Sequence, residues 1–64
     1  MIAERIADYI KEKGIKQTTL ASVIGIAPQS MHETLKGRRT LTAEEYVRIC
    51  DFLEVPYSRF TDGY

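Results

Sequence analysis

Gln17-Thr18-Thr19-Leu20-Ala21-Ser22-Val23-Ile24-Gly25-Ile26-Ala27-Pro28-Gln29-Ser30-Met31-His32-Glu33-Thr34-Leu35-Lys36 is the stretch on which the fold turns. Leu20, Ala21, Val23 and Ile24 are the apolar positions of a short helix from Gln17 to Ile24. Gly25 followed by Ile26 reads as its stop, with glycine in the left-handed conformation and an apolar residue folding back. Pro28 suits the first turn of the next helix, where its missing N–H would have no intrahelical partner. That helix runs to about Lys36 and ends at Gly37. The short Gly25-Ile26-Ala27 connection forces the two helices to cross steeply. The crossing must bury Leu20, Ala21, Val23 or Ile24, Ile26, Met31 and Leu35, with the small Ala21 where the helices approach most closely.

The flanking sequence is also helical. Ile2, Ile6, Tyr9, Ile10 and Lys13 follow the three-and-four spacing of an amphipathic helix, and Arg5, Asp8, Lys11 and Glu12 fill its other face. Gly14-Ile15 repeats the stop signal. Downstream, Thr42 and Glu45 have capping-box spacing, and Leu41 and Tyr46 stand where a hydrophobic staple would close over the box. A fourth helix from this point reaches about Glu54, Val55-Pro56-Tyr57 breaks it, and Tyr57 to Phe60 adds one further turn. No segment alternates as a strand would. The expectation is a compact all-α bundle of four helices and a short fifth, forming a single domain over residues 1–64 with loops of about two to six residues.

Composition narrows the function. An apolar fraction of 44% is ordinary for a folded chain and excludes disorder. The longest uncharged run, beginning at Gln17 and ended by Glu33, is interrupted by Thr, Ser, Gly, Gln, Pro and His, so no stretch is expected to span a bilayer. Glu4, Arg5 and Asp8 break up the first ten residues, against a signal peptide. His32 and Cys50 are single residues of their type, so no zinc set has the usual spacing, and Cys50 reads as a small buried hydrophobe on the inner side of the fourth helix. Ser30 and His32 are two apart on a helix and do not face one another, so no nucleophile–base pair forms there. The glycines are three helix stops and Gly63, with no phosphate-cradling loop. Neither an enzyme nor a cofactor is expected, and the single cysteine is consistent with a reducing cytoplasm.

The net charge of zero conceals an asymmetry. Residues 1–10 are near neutral, carrying Glu4 and Asp8 against Arg5. Residues 11–39 are basic, with Lys11, Lys13, Lys16, Lys36, Arg38 and Arg39 against Glu12 and Glu33. Residues 40–64 are acidic, with Glu44, Glu45, Asp51, Glu54 and Asp62 against Arg48 and Arg59. A polyanion responds to the local field within about 10 Å, not to the total. On the third helix, Met31 and Leu35 fall at about 200° and 240° from Gln29 and set the buried side. Gln29, Glu33 and Lys36 share the opposite side, flanked by Ser30 and His32. Gln pairs with adenine N6 and N7, Glu accepts from cytosine N4, and Ser and Lys serve base edges or phosphate. Any surface helix also shows a polar face; its place after a tight corner makes this one a candidate reader.

Gln17-Thr18-Thr19-Leu20-Ala21, Gly25-Ile26, Ser30-Met31, Leu35-Lys36-Gly37-Arg38-Arg39 and Phe52-Leu53-Glu54-Val55, in this order and spacing, resemble the Cro and lambda-repressor-like (Xre-type) helix-turn-helix family over about residues 2–60. The resemblance implies a five-helix DNA-binding domain, its helix-turn-helix unit at about 17–36, whose third helix enters the major groove. It implies base reading by Gln29, Ser30 and Glu33. Phosphate contacts would come from Gln17 at the start of the second helix and from Arg38 and Arg39 in the loop after Gly37, with Lys16 and Lys36 on the same basic rim. Family members often cap helices two and three with Ser or Thr, where this chain has Lys16 and Ala27; losing such a cap costs about 1 kcal/mol.

Phe52, Val55, Tyr57 and Phe60, with Tyr64, supply more apolar material than so small a core needs. They either close the bundle or form a two-fold interface, as in relatives that read half-sites about 34 Å apart. The implied partner is double-stranded DNA carrying an inverted repeat, bound by a weak homodimer acting as a repressor in a prokaryotic or phage setting. The competing reading is an antitoxin or protein-interaction module of the same fold.

Overall fold

The computed structural model describes residues 2–62, and four α-helices follow one another in it: α1 Ile2–Lys13, α2 Gln17–Ile24, α3 Pro28–Leu35 and α4 Ala43–Leu53. No strand occurs among the described residues, and no helix there is long and apolar enough to cross a membrane. Gly63 and Tyr64 lie outside the described residues, and with them the expected contribution of Tyr64 to the C-terminal apolar surface.

All four helices end in the same way. In each, an N–H two or three residues past the last helical residue reaches back to a carbonyl five residues earlier: Ile15 to Ile10 (2.8 Å), Ile26 to Ala21 (3.0 Å), Arg38 to Glu33 (2.9 Å) and Val55 to Cys50 (3.1 Å). This geometry requires a left-handed residue just before the donor. Glycine fills that place in the first three helices and Glu54, at φ 57°, in the fourth. The true end of α4 is therefore this Glu54 stop, one step ahead of the Val55-Pro56-Tyr57 break read from the sequence. Helix starts are less uniform. Thr42 accepts from the Glu45 N–H and Glu45 accepts from the Thr42 N–H, a complete capping box for α4. Lys16 and Ala27 precede α2 and α3 with extended backbone and no side-chain cap bond.

The core takes Ile6 and Ile10 from α1, Leu20, Ala21 and Ile24 from α2, Met31 and Leu35 from α3, and Ile49 and Cys50 from α4. α2 packs against both α3 and α4, and α1 packs against α3. Between Val23 and Ile24 the fold chooses Ile24, which is buried while Val23 stays 39% exposed. Helical spacing decides this, because Leu20 and Ile24 lie one turn apart on the same face.

The expected fifth helix is absent from the described residues. After Glu54 the chain makes successive turns, closed by N–H bonds from Arg59 to Pro56 O (2.9 Å), Thr61 to Ser58 O (3.2 Å) and Asp62 to Ser58 O (3.1 Å). Phe60 explains the path. Its side chain is fully buried, edge-on to Tyr9 (5.5 Å between ring centroids) and Tyr46 (6.4 Å), so the backbone follows the contour of the core. Arg5 holds the turns in place by donating to the carbonyls of Phe60 (3.4 Å) and Asp62 (2.6 Å). Of the two alternatives left open for Phe60, closing the bundle or forming a two-fold interface, its burial selects the first: it plugs its own bundle. Val55 is half-buried against the core, whereas Phe52 and Tyr57 remain 40% and 53% exposed.

Candidate nucleic-acid interface

The corner between α2 and α3 rests on the backbone of Gly25, at φ 79° and ψ 31°. A Cβ there would meet nothing within 4 Å, so the glycine answers a torsional demand and not a steric one. α4 secures the corner from behind, where Arg48 Nη1 donates to the Ile24 carbonyl (3.3 Å). A cation is well placed at that negative helix end.

Burial of Met31, Thr34 and Leu35 against the bundle turns the other side of α3 to the exterior. Gln29, His32 and Lys36 are exposed, and Ser30 and Glu33 are half-buried. The polar groups are joined to one another. Gln29 Nε2 donates to Glu33 Oε1 (3.2 Å), and Arg38 Nη1 pairs with Glu33 Oε2 (3.5 Å). The Arg38 side chain is 67% exposed and that of Glu33 only 32% exposed. Ser30 contributes through its carbonyl, which accepts the Thr34 hydroxyl (2.8 Å).

Gln17 opens α2 and lies beside α3, its Oε1 3.4 Å from His32 Nδ1. The first turn of α2 carries neither a side-chain cap nor an acidic residue, so its N-terminal amides and dipole are unneutralised from within the helix. α4 is the reverse, with Thr42, Glu44 and Glu45 occupying its start. Lys16, directly before the start of α2, is exposed, and so are Lys36 and Arg38 beyond the end of α3.

Arg39 stands apart from the other cations. Its guanidinium donates to both carboxylate oxygens of Glu45 (3.0 and 2.7 Å) and to the hydroxyl of Thr34 (3.1 Å). Hydrogen bonding from Arg39 holds the Glu45 carboxyl down at about 2, and the same pairing raises the Arg39 guanidinium further above its ordinary value. Three of the five guanidinium donors are thereby engaged, leaving Nε–H and one Nη2 hydrogen. Thr34 was not singled out from the sequence, although its spacing from Ser30 places both on one flank of α3. His32 was likewise read only as a flanking residue, since the proximity of Gln17 depends on how α2 and α3 pack. On the inner side of α4, burial pushes the Cys50 thiol up, which disfavours its reactive thiolate.

The arrangement presents a hydrogen-bonding helix face, an open helix N-terminus and a rim of cations. A family model described as the Cro/C1-type helix-turn-helix DNA-binding domain matches residues 5–58. No curated protein and no solved structure gave a significant match to the chain. With its corner at Gly25 and a family match running from α1 past the end of α4, the chain belongs to the Cro/C1-type helix-turn-helix DNA-binding family.

Proposed function

We propose that the protein is a sequence-specific transcriptional repressor that places α3 in the major groove of double-stranded DNA and binds an inverted repeat as a weak homodimer. The observation that carries this reading is the outer face of α3. Gln29, Ser30 and Glu33 stand there opposite the buried Met31 and Leu35, exposed Lys36 and Arg38 follow α3 in the chain, and exposed Lys16 precedes α2. In this reading Gln29 and its neighbours meet base edges, while Gln17, the open amides of α2 and the cations set register on the phosphates. Arg39 makes its phosphate contact with the donors that Glu45 leaves over. The acidic α4 and C-terminal turns face away from the duplex. Exposed Phe52 and Tyr57, with the edge of Val55, support the self-association. A cytoplasmic site of action follows from the DNA partner.

Random-site selection with the purified protein is the direct test. The expected product is a pair of symmetric half-sites about 34 Å apart. Four side-chain cations per subunit predict that log K falls with log salt at a slope of about −3 to −4 per half-site. An affinity that does not change between low and moderate salt, or a selection that returns no consensus, removes the reading.

A further inference from the structure

We infer that Glu33 acts on DNA through Gln29, as a positioning residue braced by Arg38, and that the base pair facing Gln29 is A·T with adenine as the residue read. The inference deepens the proposed function and rests on it. Three side chains form a chain of contacts along α3, from its first turn to the loop beyond it: Gln29 Nε2 to Glu33 Oε1 at 3.2 Å, and Arg38 Nη1 to Glu33 Oε2 at 3.5 Å. Gln29 is the exposed member, whereas two-thirds of the Glu33 side chain is covered. The Arg38 N–H at Glu33 accompanies the Schellman bond from Arg38 N–H to Glu33 O (2.9 Å), so the backbone stop of α3 places the cation beside the carboxylate.

Charge and hydrogen-bond accounting assign the roles. A carboxylate presented bare to a duplex meets the negative potential of the phosphates, and this one is neutralised beforehand by Arg38. One N–H of the Gln29 amide is committed to Glu33. What remains is one carbonyl acceptor and one N–H donor on a side chain whose rotation is restrained. Adenine offers the complementary N6 donor and N7 acceptor in the major groove, and guanine, with two acceptors there, does not. Holding the amide before binding also lowers the rotamer entropy lost on binding.

The test is a set of binding titrations on the selected site and its single-base variants, using the parent, Gln29→Ala, Glu33→Ala, Glu33→Gln and Gln29→Ala/Glu33→Ala. Thermal melts accompany each variant to establish that it is folded. The parent should prefer A·T at one position of each half-site by about tenfold or more, the range of a bidentate pair. Gln29→Ala should abolish that preference and Glu33→Ala should reduce it severalfold. The double variant should match Gln29→Ala alone, because coupled residues are non-additive. Glu33→Gln, which keeps an acceptor at the same place, should restore most of the preference. Replacing that adenine by 7-deazaadenine should weaken the parent and leave Gln29→Ala unaffected. If Glu33→Ala instead changes discrimination at a different base pair, or adds fully to Gln29→Ala, Glu33 reads a base itself and the inference is overturned while DNA recognition stands. A parent protein that selects no DNA overturns both.

Discussion

Arg39 and Glu45 meet as two parallel forks, Nη1 to Oε1 at 3.0 Å and Nη2 to Oε2 at 2.7 Å, with Thr34 closing the third side. The same carboxylate completes the capping box with Thr42. One side chain therefore ties the loop after the candidate recognition helix to the start of α4.

This pairing makes stability depend on acid. Glu45 is held at about 2 in the folded protein against an ordinary 4.5. Because the folded value is the lower one, the contribution is complete above about pH 4.5 and is lost as the pH falls toward 2. Urea midpoints measured across that window should fall more steeply for the parent than for Glu45→Gln. Equal slopes would mean that the fork contributes nothing in solution.

The two adjacent arginines should separate in experiment. Arg39→Ala should lower the urea midpoint, since it strips Glu45 and Thr34 of their shared donor. Arg38→Ala should change stability by less than about 0.5 kcal/mol, as expected for an exposed ion pair. It should weaken binding to every duplex, reduce the salt slope by about 1, and also lower the A·T preference at Gln29, because Glu33 loses its brace. Fluorescence anisotropy at several salt concentrations, on the selected site and its single-base variants, reads these effects.

Thr42→Ala should destabilise the domain by about 1 kcal/mol by removing the α4 cap, while Thr42→Ser should stay near the parent. Chemical denaturation provides the comparison. α2 and α3 have no cap to lose, so Lys16→Ala should leave stability unchanged while weakening DNA binding.

The helix stops give predictions of opposite sign. Gly25→Ala should cost about 1–2 kcal/mol although space is available, because the left-handed backbone penalises any Cβ. Glu54→Gly should stabilise by about 0.5–1 kcal/mol, since Glu54 already occupies that conformation with a side chain. Thermal unfolding of the two variants beside the parent measures both shifts.

Phe60→Ala should cost about 3–5 kcal/mol, enough to unfold much of so small a domain. Phe60→Leu should remain folded with a lowered melting temperature. Phe52→Ser should leave the melting temperature nearly unchanged and reduce self-association in sedimentation, because Phe52 is exposed where Phe60 is buried.

Much of the fold was legible because local chemistry specifies it. The glycines at 14, 25 and 37, the Thr42–Glu45 box and the apolar spacing of Ile6 and Ile10 act within one or two helical turns. The α4 stop was read less well, since an acidic residue in a left-handed conformation carries no sequence signature. Its signal was indirect: an apolar residue, Val55, directly follows. The C-terminal segment was read only in part, since the turn expected at Tyr57 to Phe60 is present but does not amount to a fifth helix. Tyr57 to Phe60 has the length of a helical turn, and only the pocket between Tyr9 and Tyr46 draws Phe60 inward.

The outer face of α3 could be listed from periodicity alone, and so could the basic middle of the chain. Periodicity does not say which polar groups pair. Sequence alone established the all-helical class, the corner at Gly25 and the side of α3 that faces outward, because turns, caps and helical spacing depend on near neighbours. Tertiary packing decided that Phe60 closes the core, that Arg39 is clamped while Arg38 is exposed, and that Gln17 lies beside His32. Those outcomes depend on the relative placement of distant elements, which the burial of shared apolar surface determines.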